Sequence, residues 1–248
     1  MIKLFRKIRQ KLMQEGKITN YMKYAIGEIM LVVIGIFIAI QANNWNVERI
    51  AQKDLRFELS KLIVNLEQDI FALDDWIKQS SSIIADLDSC LVILKDHQSY
   101  SKDYFLKLFW PIHRTLEFNS NTVSFDYLFS SGKIQNIKNN LLIDSISHYY
   151  NSALYKNVES AVMNHTREVI RPYLMGFDFL PIKRDYMSVH NDEKSFNTPL
   201  KSLKDYTEDI RILNGIRFKI WLHSTLNNHY QLKMEASKRL ISQIKEEL

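Results

Sequence analysis

"LSKLIVNLEQDIFALDDWIKQSSSIIADLDSCLVIL", residues Leu59 to Leu94, sets the fold. Leu59, Ile63, Leu66, Ile70, Leu73, Ile77, Ile84, Leu87, Leu91 and Leu94 follow one another at helical spacing, and only Ser80 breaks the apolar seam. A heptad sustained this long predicts one long stalk helix, with Ser80-Ser81-Ser82 as its point of interruption. A second seam runs through Leu213, Ile216, Ile220, His223, Asn227, Tyr230, Met234, Ser237, Ile241, Ile244 and Leu248, and its polar members make it less pure. An antiparallel return of this segment beside the stalk is the economical packing. Six glycines and four prolines in 248 residues leave little room for turns, so the expected class is all-α. Because other helices lie between the two seams, a bundle within one chain is favoured over a coiled coil between chains.

Those intervening helices can be placed coarsely. Ser101 opens "SKDYFLKLFWP" as a capping serine and Pro111 closes it. Asn121 or Thr122 caps "VSFDYLFSS", and Gly132 suits the left-handed position after it. A long helix is expected from about Asn140, with Leu142, Ile146, Tyr149, Leu154, Val158, Val162, His165 and Val169 on one face and Pro172 and Gly176 at its end. Residues 177–198 show no period and read as an irregular loop, a candidate binding surface. Thr198 with Pro199 can open the last helical region.

Upstream, "YAIGEIMLVVIGIFIAIQANNWN", Tyr24 to Asn46, has the composition of a membrane span. From Tyr24 to Trp45 a helix reaches ~32 Å, the thickness of a hydrocarbon core. Tyr21 and Tyr24 on one side and Trp45 on the other are the expected interface anchors. No helix breaker separates the span from the stalk. The expected organisation is therefore a basic arm (1–23), a transmembrane helix (24–45) continuing into the stalk, and an antiparallel helical bundle (46–248). A cleaved signal peptide is the rival reading, since the uninterrupted apolar run, Ile29 to Ile40, is only twelve residues. The long stretch before it and the poor cleavage site Ile40-Gln41-Ala42 weigh against that reading.

Charge is distributed unevenly. The net charge is +5, yet Lys3, Arg6, Lys7, Arg9, Lys11, Lys17 and Lys23 against Glu15 concentrate all of it in the arm, and the chain from residue 29 onward is neutral. Nucleic-acid binding by the main domain thus has no electrostatic warrant. Positive charge before the span puts the N-terminus in the cytoplasm, with the lipid bilayer as first partner. Ile2, Phe5, Ile8 and Leu12 among the basic residues suit an amphipathic helix on an anionic leaflet.

Glu28 is the anomaly of the span. Near the rim it can snorkel to water or pair with Lys23. Alternatively, Gly27, Gly35 and Ala39 share one face and permit close helix approach, where Glu28 could hydrogen-bond a partner helix; a proton relay is the third reading. The candidate membrane-association residues are accordingly Gly27, Glu28, Gly35 and Ala39.

Chemistry is harder to find. The seven histidines form no His-Glu-x-x-His and no paired Glu-x-x-His, so no metal site and no cofactor is expected. Ser130-Ser131-Gly132-Lys133 fits neither a nucleophile elbow nor a phosphate loop. Adjacent Asp74 and Asp75 diverge on a helix, which is wrong for a paired acid and base. Tyr149-Tyr150 and Phe109-Trp110 read as core rather than as aromatic ligand boxes. Cys90, the only cysteine, reads as half-buried and inert, with an interchain disulfide as the alternative. No catalytic residue is nominated.

Three stretches together, Lys7–Asn46, Thr122–Asn151 and "LISQIKEEL" (Leu240–Leu248), resemble a family of uncharacterised bacterial proteins common among Bacteroidetes. The resemblance implies an N-terminal membrane helix with a helical extracytoplasmic domain, and no activity. The expected function is a membrane-anchored periplasmic bundle, in the inner membrane, that binds or scaffolds an envelope component as partner or homo-oligomer. A single-pass sensory protein, favoured by a Tyr- or Trp-lined pocket in the bundle, and an unrecognised enzyme are the alternatives.

Overall fold

The computed structural model describes residues 18–152, 154–176 and 201–248, and among these every regular element is helical. The basic arm with its Ile2, Phe5, Ile8 and Leu12 face, the 177–198 loop and the Thr198-Pro199 start lie outside the described residues. The first helix, α1, runs unbroken from Ile18 to Lys95, so the three serines do not interrupt it. The chain divides into two units, Met1–Phe57 and Glu58–Leu248.

In the first unit the described part is helix alone. Every large apolar side chain from Ile26 to Ile40 is 52–71% exposed, and consecutive positions of this kind cover all faces of the helix. One helix among the described residues is long and apolar enough to cross a membrane, and it is this one.

The second unit begins with the Glu58–Lys95 part of α1. It continues with α2 (Lys102–Phe109), α3 (Val123–Ser130), α4 (Asn140–Asn151), α5 (Leu154–His165), α6 (Arg171–Leu174), α7 (Leu203–Glu208) and α8 (Ile210–Glu247). Helix ends follow local chemistry. The Ser101 hydroxyl accepts from Tyr104 N (3.2 Å), Asn121 Oδ1 accepts from Val123 N (3.2 Å), and Gly132 takes φ +71° after α3. Ser202 with Asp205 forms a capping box on α7, and Asp209 caps α8.

α8 returns antiparallel to α1. Thr207, on α7 just before α8, donates its Oγ1 to Leu94 O (3.0 Å), Ser80 meets His223 Nδ1 (2.9 Å), and the Tyr149 hydroxyl bridges Asp69 and Ser237 (2.8 Å to each), so falling numbers on α1 meet rising numbers toward the end of α8. Between them the core joins Leu73, Leu87 and Cys90 to Phe105, Phe109, Tyr206, Leu226 and Tyr230. Phe105 stacks on Phe109 at 5.2 Å and tilts against Tyr206 at 5.0 Å.

Three expectations are corrected here. The buried face of α1 is Leu55, Leu59, Leu62, Leu66, Asp69, Leu73, Ser80, Ile83, Leu87, Cys90 and Leu94; Ile63, Ile70, Ile77, Ile84 and Leu91 are only half-buried beside it. Ser80 belongs to the seam because His223 gives it a partner, and Cys90 is wholly rather than half buried, its thiol pushed up to about 12 by burial. The single long helix after Asn140 is in fact two, parted at Ser152, with α5 passing through a π turn, Thr166–Ile170, into α6. The break moves the inward face to Tyr155, Glu159, Val162, Thr166 and Ile170, leaving Leu154 and Val169 exposed. The wider turn precedes Pro172, which has no N–H to give and whose ring would crowd the preceding turn of a regular helix.

Candidate functional site

The sequence-nominated residues lie on α1. Gly27, Gly35 and Ala39 are exposed, and a Cβ built on either glycine meets nothing within 4 Å. Glu28 is half-buried in a shallow groove with Ile29, Val32 and Val33. Trp45 is exposed, with the Arg49 guanidinium 5.6 Å from its ring centre; the side chains of Tyr21 and Tyr24 lie outside the described residues. Among the described residues no group of three or more His, Cys, Asp or Glu is placed to hold a metal ion.

A concave site exists elsewhere, in the helical unit, and sequence reasoning missed it. A cleft of about 190 Å³ opens where the end of α4, the start of α5 and the middle of α8 meet. α4 supplies His148, Tyr149 and the following Ser152; α5 supplies Leu154 and Tyr155; α8 supplies His229, Leu232, Lys233, Ala236 and Arg239. The α8 residues recur every three or four positions, so one helix face lines the cleft. Its wall carries four basic side chains and no Asp or Glu.

Lys233 is the centre of this wall. Its side chain is buried, its Nζ lies 3.5 Å from the Tyr149 ring centre and 5.7 Å from that of Tyr155, and it donates to the Tyr149 carbonyl. Burial lowers its pKa to about 8; the Asp69 charge opposes this shift and the Lys156 charge reinforces it. Asp69 is itself engaged: its carboxylate accepts from Asn121 N (2.8 Å) and from the Tyr149 hydroxyl (2.8 Å), which in turn accepts from Ser237 Oγ (2.8 Å). These bonds hold the Tyr149 ring in place. Burial raises the pKa of Asp69 even so, and desolvation pushes Tyr149 far above the usual phenol range, so its hydroxyl stays a donor.

Two further polar knots stiffen the surroundings. Glu159, buried, accepts from Phe118 N (2.8 Å) and the Tyr230 hydroxyl, pinning the strandless segment after Pro111 to α5 and α8. Lys219 donates to Thr166 Oγ1 (2.6 Å) and Arg114 O (2.8 Å), at the π turn. Both satisfy backbone or hydroxyl groups that burial would otherwise orphan.

Fold and cleft thus define an all-α protein with, among the described residues, one helix long and apolar enough to cross a membrane and a basic, tyrosine-walled cleft in its helical unit. The chain belongs to a family of unknown function, DUF6090, whose family model matches residues 28–198. No curated protein and no solved structure matches it.

Proposed function

We propose that the chain is a single-pass membrane protein of the bacterial envelope whose helical unit is a periplasmic binding or scaffold module. The observation that carries this is the all-round exposure of the apolar side chains between Ile26 and Ile40. Nine Leu, Ile, Val or Phe residues from Ile29 to Ile40 contribute roughly 3–5 kcal/mol on insertion, at ~0.3–0.6 each, which outweighs a charge such as Glu28 placed near the rim. The basic arm before the span supports a cytoplasmic N-terminus, and the likeness of Lys7–Asn46 to the Bacteroidetes proteins supports the envelope setting. Gly27, Glu28, Gly35 and Ala39 are the surface through which α1 meets a membrane partner or a second copy.

The test is alkaline extraction of membranes containing the full chain, followed by protease treatment of spheroplasts. Retention in the membrane pellet is expected, with the helical unit digested and an N-terminal tag protected. Release at high pH, or protection of the helical unit, overturns the reading.

The tyrosine-walled cleft favours a second reading, in which the helical unit binds a small ligand. This reading differs from a pure scaffold in requiring a saturable site.

A further inference from the structure

The cleft contains a cation that the protein only partly neutralises. Lys233 donates to one carbonyl and rests on two tyrosine faces, and no Asp or Glu among the described residues forms an ion pair with it. Asp69 is the carboxylate that acts on it at longer range, but both Asp69 oxygens already accept from Asn121 and Tyr149. A buried ammonium with so little counter-charge gains from an anion that desolvates beside it. His229 and the exposed Arg239, whose guanidinium also pairs with the exposed Glu235 carboxylate at 3.8 Å, stand along the same helix face, and Lys156 adds positive potential from α5. Most of the remaining lining is carbon: the rings of Tyr149 and Tyr155 and the side chains of Leu154 and Leu232. The volume equals about six waters at ~30 Å³ each, room for a single ring or short chain and its charged head.

We propose that this cleft binds a small organic carboxylate, its head held by Lys233 with Arg239 and His229 and its apolar body against Tyr149, Tyr155 and Leu232. One buried cation matches a monoanion, and the carbon lining gives the body of the ligand more to gain than an inorganic anion has. This inference rests on the ligand-binding reading above and is independent of how the chain meets the membrane.

The test is calorimetric titration of the full chain in non-ionic micelles at pH 7 with benzoate, with benzamide as its neutral counterpart, and with inorganic phosphate as an anion without an apolar body. Benzoate is expected to bind at least tenfold more tightly than either. Lys233→Met and Leu232→Glu should each weaken it at least tenfold. Leu232 is 60% exposed, so the glutamate puts negative charge at the rim without disturbing the core and keeps the test valid if Lys233→Met does not fold. Equal binding of benzamide overturns the anion assignment while leaving a ligand site; equal binding of phosphate overturns the organic one. Unchanged benzoate affinity in Leu232→Glu places the ligand elsewhere, and no binding of any of the three removes the ligand-binding reading itself.

Discussion

Lys219 is a cation to which water has no access: it is 0% exposed, bonded to a hydroxyl and a carbonyl, and faced by the like charge of Arg171. Burial, reinforced by Arg171, brings its pKa down from 10.5 to about 7, and Lys233 falls to about 8. Between the folded and unfolded values the unfolded chain binds a proton that the folded chain lacks, so stability rises with pH in that window and is lowest below it. The raised tyrosines and Cys90 act in the opposite sense, but only as pH passes the ordinary pKa of those groups near 9–10. Denaturation of the full chain between pH 6.5 and 8.5 should therefore show a gain of about 1–3 kcal/mol from the two lysines together. Lys219→Met should remove most of that slope; a flat wild-type profile would show that Lys219 keeps its charge without cost. On α1, Glu28→Gln is expected to weaken self-association or capture of a membrane partner in detergent, read by crosslinking. Unchanged assembly would leave Glu28 as a rim residue that reaches water.

At the scale of the element, α1 tests its own register. Leu62 is fully buried whereas Phe71, larger and equally apolar, is 78% exposed. Leu62→Ala should cost about 2–5 kcal/mol and Phe71→Ala less than ~0.5, measured by chemical denaturation. The existence and antiparallel pairing of α1 and α8 were legible from the period of their apolar residues, whereas the unbroken course of α1 through its three serines and the start of α8 at Ile210 were not. Which member of each apolar pair points inward was not. Leu62-Ile63 and Ile83-Ile84 straddle the seam, and the choice is made by partners far along the chain: His223 for Ser80, Asn121 and Tyr149 for Asp69. Polar residues that break a hydrophobic pattern were here part of it, because each had a donor or acceptor waiting. The break at Ser152 had no Pro or Gly to announce it. It also brings Tyr149 and Tyr155 to one cleft, so the site was hidden with it. The one readable sign was Lys233, a cation standing in step with Leu226, Tyr230 and Ser237 on the buried face of α8.

At the scale of the whole molecule, every member of the main core cluster belongs to the unit Glu58–Leu248. Residues 58–248 produced alone are expected to stay in solution without detergent and to unfold in a single cooperative step, followed by circular dichroism. Aggregation or gradual melting would show that the helical unit depends on the rest of the chain. The single cysteine has a practical consequence at this scale. Cys90 is wholly enclosed and its thiol is held far from the reactive thiolate form at neutral pH, so maleimide reagents should pass it by. These 248 residues are then already a silent background for chemical mapping: on the topology proposed above, a cysteine introduced on their surface reports its own side of the bilayer.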